Sequence, residues 1–187
     1  MKPLWLTLSL LLCALPLAAE PVRAETRITF SGTSTLHDFS GHGTSTVHRV
    51  EWTPLAEGGR LSAKSIAIQT KSLTTDHAKR DRNMAKMFDP SSHPLISGTL
   101  QNWRVHAPVD GTPATNTLLL EMNGHTARVP AKITSCLETG GTTRFRAEFD
   151  VSLKTFGLKR PSVLGLIRVG DTVHVQVDTL LSPLDSP

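Results

Sequence analysis

The chain has 187 residues, 39% hydrophobic and 19% charged, with a net charge of +4. That balance belongs to a folded chain of about one domain, and excludes a disordered, collagen-like or strongly basic nucleic-acid-binding protein. Two Cys and no Tyr exclude a disulfide-dense scaffold, a four-cysteine zinc site and a rich aromatic platform for single-stranded nucleic acid.

Residues 1–24 read as a cleaved secretory signal peptide. Lys2 gives a short basic start, and Leu4 to Leu17 is a nearly unbroken apolar run, too short to span a bilayer about 30 Å thick comfortably. Val22-Arg23-Ala24 then offers a small residue for processing. Cleavage is expected after Ala24, with Ala19 as the second choice. Residues 25–187 are left as a single periplasmic domain. Cys136 is then its lone cysteine, so no internal disulfide can form and an apolar core must hold the domain together.

The mature chain reads as short strands between turn signals. The first are residues 27–34, 43–52, 61–72 and 95–105, followed by a Pro- and Gly-bearing surface loop at 107–116. Strands 117–122 and 125–133 are joined by Asn123-Gly124, a pair that tolerates positive φ at both turn positions and so marks a hairpin. Pro130 lacks an amide hydrogen and predicts an edge or irregularity in the second arm. At 143–154, Phe145, Ala147, Phe149, Val151 and Leu153 alternate with Arg144, Arg146, Glu148, Asp150 and Ser152, and 172–180 repeats the pattern with Val173, Val175 and Val177. One apolar and one wet face on each indicates antiparallel sheet.

The single predicted helix is 76–87. Thr74 or Thr75 is its expected N-cap, Asp76 suits its first turn, and Pro90 ends it. Ala78, Met84, Ala85 and Phe88 form a partial apolar stripe on an otherwise charged segment, which places the helix on a surface. About eight strands with one helix suit a closed barrel better than an open sheet.

Several polar groups invite chemistry. His37, His42 and His48 stand near Asp38, and neutral imidazoles commonly bind metals; no H-E-x-x-H or paired-cysteine spacing accompanies them. His77, Arg80 and Asp81 are neighbours at helical spacing, readable as an acid–base group or as a latch that docks the helix, and the latch is the simpler reading. Cys136 has no local nucleophile signature and reads as a small buried hydrophobe. Lys159, Arg160 and Arg168 form a small basic group, suited to a solvated turn or to anionic headgroups at a membrane surface.

Three stretches resemble the YceI-like family of secreted bacterial lipid- and polyisoprenoid-binding proteins. They are FSGTSTLHDFSGHG at 30–43, IAIQTKSLTTDHAKRDRNMAKMFDPSSHPLISGTL at 66–100, and LEMNGHTARVPAKI at 120–133 followed by FRAEFDVSLKTFGLKRPSVLGLIRVGDTVHVQVD at 145–178. Thr126-Ala127-Arg128 departs from the family's frequent Lys-Pro. The resemblance implies an all-β fold, an extended eight-stranded antiparallel lipocalin-like barrel with one short α-helix and a lipid chain inside. It implies a non-enzymatic periplasmic binding and transport protein with no cofactor beyond a bound polyisoprenoid or quinone-like lipid. The partner it implies is that apolar lipid; transient contact with a membrane surface is expected only from the basic group at 159–168, and composition already sets nucleic acid aside.

On that fold Phe30, Ile66, Ile68, Leu118, Leu120, Phe145, Ala147, Phe149 and Val151 are the expected ligand-lining residues. Met84, Met87 and Phe88 form an adaptable lid, since Met is flexible and polarizable. Small residues at Ala63, Ala67, Gly98 and Ala147 leave room for cargo or merely let the barrel close. The residues themselves leave a cavity and a filled core open, and the resemblance favours the cavity. An apolar chain burying ~400 Å² gains ~10 kcal/mol before association costs, so no charged clamp is required. The competing readings are a metal-binding protein or enzyme built on His37, Asp38 and His42, and a filled-barrel interaction protein.

Overall fold

The structure, a computed structural model, describes residues 18–44, 46–160, 162–163 and 167–184. The apolar run assigned to the signal peptide lies outside them. Strands β1 (Glu20–Ser34), β2 (Phe39–His42), β3 (Thr46–Pro54) and β4 (Gly59–Gln69) lead through a 3-10 turn (Thr70–Ser72) to helix α1 (Ala78–Phe88). Then follow β5 (Leu95–Val105), β6 (Ala114–Met122), β7 (His125–Thr139), β8 (Thr142–Ser152), the short β9 (Ser162–Val163) and β10 (Ile167–Pro183). Neighbours pair antiparallel in the order β2-β1-β3-β4-β5-β6-β7-β8-β10-β9, and β1 pairing with β10 closes the ring. Both β2 and β3 lie against the same side of β1, β2 along 29–32 and β3 along 20–26. They fill one barrel position in succession, so the architecture is a closed eight-stranded antiparallel barrel with one extra strand and one helix.

Alternating sequence becomes strand because it gives each face a single solvent. In β8 the side chains of Phe145, Ala147 and Val151 are buried while Arg144 and Asp150 stand in water. At the β6–β7 turn Asn123 (φ 53°) and Gly124 (φ 72°) both take the left-handed conformation that a tight hairpin needs. Pro130 sits opposite Thr117 in the regular ladder with β6, and the ladder between β7 and β8 begins only at Lys132. The missing amide hydrogen therefore falls where no β8 partner stands, and the expected irregularity is confined to that side.

Several bounds differ from the sequence expectation. β1 starts at Glu20, seven residues' pattern before the predicted strand, because Val22 and Ala24 continue its inward face and pair on both sides. The strand expected over 43–52 starts only at Thr46, as β3, and is preceded by the unpredicted β2; that over 61–72 ends in the 3-10 turn. Thr74 and Thr75 do not cap α1; its N-cap is His77, with no side-chain cap bond. Asp89, left-handed at φ 43°, closes the helix with its N–H on the Ala85 carbonyl, just before Pro90. Register shifts between β4 and β5 flank Ala63. They let Ala63, Ile66 and Ile68 all face inward, and they turn Ala67 to the outer face, contrary to expectation.

The barrel has two unlike ends. The base carries the short β3–β4, β5–β6 and β7–β8 turns, and its interior is filled by Trp52, Val105, Ala131, Ile133 and Leu181. The mouth carries the β1–β2 turn, α1 and the long β8–β10 connection. There Phe156 and Leu158 are buried on either side of Gly157, while the Asn123 side-chain amide donates to the Phe156 carbonyl at 2.9 Å. The wall also has a seam. The ladder between β3 and β4 covers only 51–54 against 59–62. Above it, His42 and Thr74 exchange backbone bonds of 2.8 and 2.9 Å, and Leu73 packs against Gly43.

Candidate ligand-binding cavity

The upper barrel encloses a cavity of about 690 Å³. Its walls are inward-facing residues of successive strands: Ile28 and Phe30 from β1, Ile66 and Ile68 from β4, Leu118 and Leu120 from β6, Phe145 to Val151 from β8, and Val173 to Val177 from β10. Trp103 forms part of its floor, its indole N–H tied to the Thr117 carbonyl at 2.9 Å. The polar exception at depth is the buried pair Thr26 and Thr179, whose hydroxyls share a 3.4 Å hydrogen bond. Hydroxyls bonded to each other lose little on burial, so the pair does not interrupt the apolar lining.

Two aromatic–glycine pairs shape the wall beside the mouth. Phe30 stands opposite Gly41 and Phe39 opposite Gly32. Each ring lies over the partner glycine, in the space a Cβ would occupy. Gly41 would also meet the Thr74 carbonyl if it carried a side chain, so its bareness lets the 3-10 segment approach the barrel.

The lid is latched from one residue. The Asp81 carboxylate accepts hydrogen bonds from the Thr74 hydroxyl at 2.8 Å, the Thr75 amide at 2.8 Å and the Thr75 hydroxyl. Arg80 Nε donates to the same Thr75 hydroxyl at 3.1 Å. The Thr75 hydroxyl foremost, then Thr74 and the Thr75 amide, holds the Asp81 carboxyl below the usual range against the opposing effect of burial. Thus Asp81 and Arg80 fasten α1, while His77 enters only through its backbone. So fixed, α1 turns Met84, Met87 and Phe88 onto the cavity. Across the opening, Leu36, His37 and Asp38 of the β1–β2 turn complete the rim; a Ser34 hydroxyl bond to the His37 carbonyl, 2.6 Å, fixes that turn.

The sequence profile of the YceI-like domain matches residues 20–181. The chain belongs to the YceI-like family. No curated protein gives a match. Among solved structures, Burkholderia cenocepacia BcnA aligns with a TM-score of 0.65 at 16% identity, over 83% of this chain and 95% of that one. A polyisoprenoid binding domain from Saccharophagus degradans, implicated in plant cell wall breakdown, aligns at 0.56 and 12%, over 86% and 98%. At these identities the likeness is one of fold.

In this YceI-like barrel all the residues expected to line a ligand, Phe30, Ile66, Ile68, Leu118, Leu120, Phe145, Ala147, Phe149 and Val151, stand on the cavity wall, and the expected lid residues Met84, Met87 and Phe88 line it as well. Sequence reasoning missed Ala24, Thr26, Val50 and Leu61. Continuing the alternation of β1 back through Ala24 would have found two of them, had the segment not been read as leader. The three early histidines do not converge. His37 lies on the rim, His42 faces Asp76 at 3.8 Å, and His48 bonds the Thr46 hydroxyl at 2.9 Å. Burial lowers the pKa of His48. Among the described residues no group of three or more His, Cys, Asp or Glu is placed to hold a metal. Cys136 is half-buried, and burial pushes its thiol pKa up, the opposite of an activated nucleophile. Lys159 and Arg160 are exposed; the side chain of Arg168 lies outside the described residues.

Proposed function

We propose that this protein is a non-enzymatic carrier that holds a polyisoprenoid, quinone-like or other long-chain lipid in the upper barrel and conveys it through the periplasm. The observation that carries the reading is the cavity: about 690 Å³, with walls that are mostly apolar, among them Ile28, Ile66, Leu118, Phe149 and Val177. Its size is that of small-molecule sites, roughly 300–1,000 Å³. Burial of an apolar chain there supplies affinity without a catalytic group. The polyisoprenoid-binding neighbour shares the fold, which supports the lipid class. The apolar N-terminal run supports export. A filled barrel is disfavoured by the cavity itself, and a histidine-centred site by the separation of His37, His42 and His48.

The test is mass spectrometry of an organic extract of the purified protein, which should contain a long-chain apolar species. Ala147, 3% exposed and on the wall, provides the control. Ala147→Trp should abolish lipid uptake while retaining the β-sheet circular dichroism spectrum, at a stability cost of about 1–3 kcal/mol from overpacking. A parent protein that neither carries nor takes up prenyl or acyl lipid would overturn the carrier reading. Undiminished uptake by folded Ala147→Trp would remove the ligand from this cavity.

A further inference from the structure

We propose that the mouth end of the barrel is a docking surface for an anionic lipid bilayer, with α1 as its contact helix. The proposal rests on the carrier reading and adds where the cargo is exchanged. The exposed face of α1 is formed by Ala78, Lys79, Arg82, Ala85 and Lys86, of which Lys79 also reaches the cavity rim. These positions follow helical spacing, so the cations make one stripe bordered by small residues. A solvated helix face ordinarily mixes both signs in i,i+4 pairs. Here Asp81 is turned inward to Thr74 and Thr75, and Asp89 at the C-cap accepts from the Ser92 hydroxyl. Among the described residues, Lys79, Arg82 and Lys86 take part in no salt bridge.

Charge is also distributed along the barrel axis. The base turns themselves hold Glu57 and Asp110, with Arg60 and Arg104 paired in the strand ends beside them. The mouth connections hold the α1 cations together with Lys71, Lys154, Lys159 and Arg160, which outnumber Asp38, Asp76, Asp81 and Asp89 there. Asp76 itself faces His42 at 3.8 Å. The cationic excess at the mouth attracts that end to a negative surface. At the tip of the β1–β2 turn Leu36 is 60% exposed and also lines the opening. A protruding leucine beside a cationic helix suits the headgroup–acyl boundary. The helix face offers no aromatic side chain of the kind that anchors protein partners. An apolar cargo, moreover, has its reservoir in a bilayer.

Co-sedimentation with phosphatidylcholine vesicles, with and without phosphatidylglycerol, tests the proposal. The parent should bind only the phosphatidylglycerol-containing vesicles at low salt and be released toward 1 M salt, where screening falls to ~3 Å. Arg82 and Lys86 are outside the cavity wall, and Gln is a good helix former. At about fivefold per charge, the double variant Arg82→Gln, Lys86→Gln should bind about 25-fold more weakly while retaining its co-purified lipid. Leu36→Asp should weaken binding further, and Glu57→Gln at the base should leave it unchanged. Parent-like binding by the double variant, or equal binding to neutral vesicles, would overturn the docking surface and leave the carrier reading intact. Salt-sensitive vesicle binding by a parent that contains and accepts no lipid would uphold the surface and overturn the carrier.

Discussion

Asp81 joins the lid to the barrel through a carboxylate whose partners are two threonines earlier in the chain. Its folded-state pKa is the lower one. Its contribution to stability is therefore present above the unfolded value near 3.8 and is lost as the pH falls through the depressed value. Asp81→Asn should cost about 1–2 kcal/mol at neutral pH, a modest figure because the group is partly solvated. In urea unfolding at pH 7, 5 and 3, the gap to the parent should persist at the first two and narrow at the third. A gap independent of pH would show that the charge is immaterial. The latch was legible in the spacing of His77, Arg80 and Asp81 along a helix, but its partners were not. Thr74 and Thr75 read as caps, because local sequence cannot show that a helix's own fourth residue turns back to claim them. The same limit hid the pairing of Phe30 with Gly41 and of Phe39 with Gly32: the Phe-Ser-Gly run occurs twice in sequence, and only antiparallel register reveals that each ring covers the other's glycine.

Strands were the most legible elements, since period-two alternation states both their existence and their inner face. β5 matches its expected bounds and β8 needs only small adjustment, while β6 starts three residues earlier and β7 runs six residues further than expected. The register shifts around Ala63 carry no such signal: they depend on tertiary bonds such as the Thr99 hydroxyl to the Lys64 carbonyl, 2.8 Å. The start of β1 was obscured by a competing pattern, a small residue suited to processing. Val22 pairs with both Val50 and Pro183, and Ala24, 1% exposed, with both His48 and Leu181. Removal of residues 20–24 would take away five of the seven β1–β3 pairs and three of the twelve β1–β10 pairs. We therefore expect processing after Ala19, the second choice of the sequence reading, so that intact mass of the exported protein gives Glu20 as its first residue. A chain made to begin at Glu25 should be less stable by about 2–4 kcal/mol in urea, from lost apolar burial and hydrogen bonds. An exported protein that begins at Glu25 with full stability would refute the expectation.

For the whole molecule, alternation told which side chains point inward but not whether opposite walls meet. Trp52, Val105 and Ile133 fill the base, while Gly98 and Ala147 face the hollow upper half; that division depends on side-chain volumes summed across strands far apart in sequence. The seam between β3 and β4 has a consequence for girth. In a fully laddered barrel, strand number and stagger fix the diameter. Above residue 62 this barrel is joined across the seam by the paired amides of His42 and Thr74 and by Leu73 against Gly43. Its circumference at the mouth can then widen by separating one short contact rather than unzipping a strand. In hydrogen-exchange mass spectrometry, segments containing His42 and Thr74 should take up deuterium well before the β6–β7 hairpin; simultaneous uptake would mean a rigid hoop. On the carrier reading, a hoop with such a gap would accept branched and unbranched chains of unequal thickness through the same opening, so selectivity would lie in the length of the bore rather than its width.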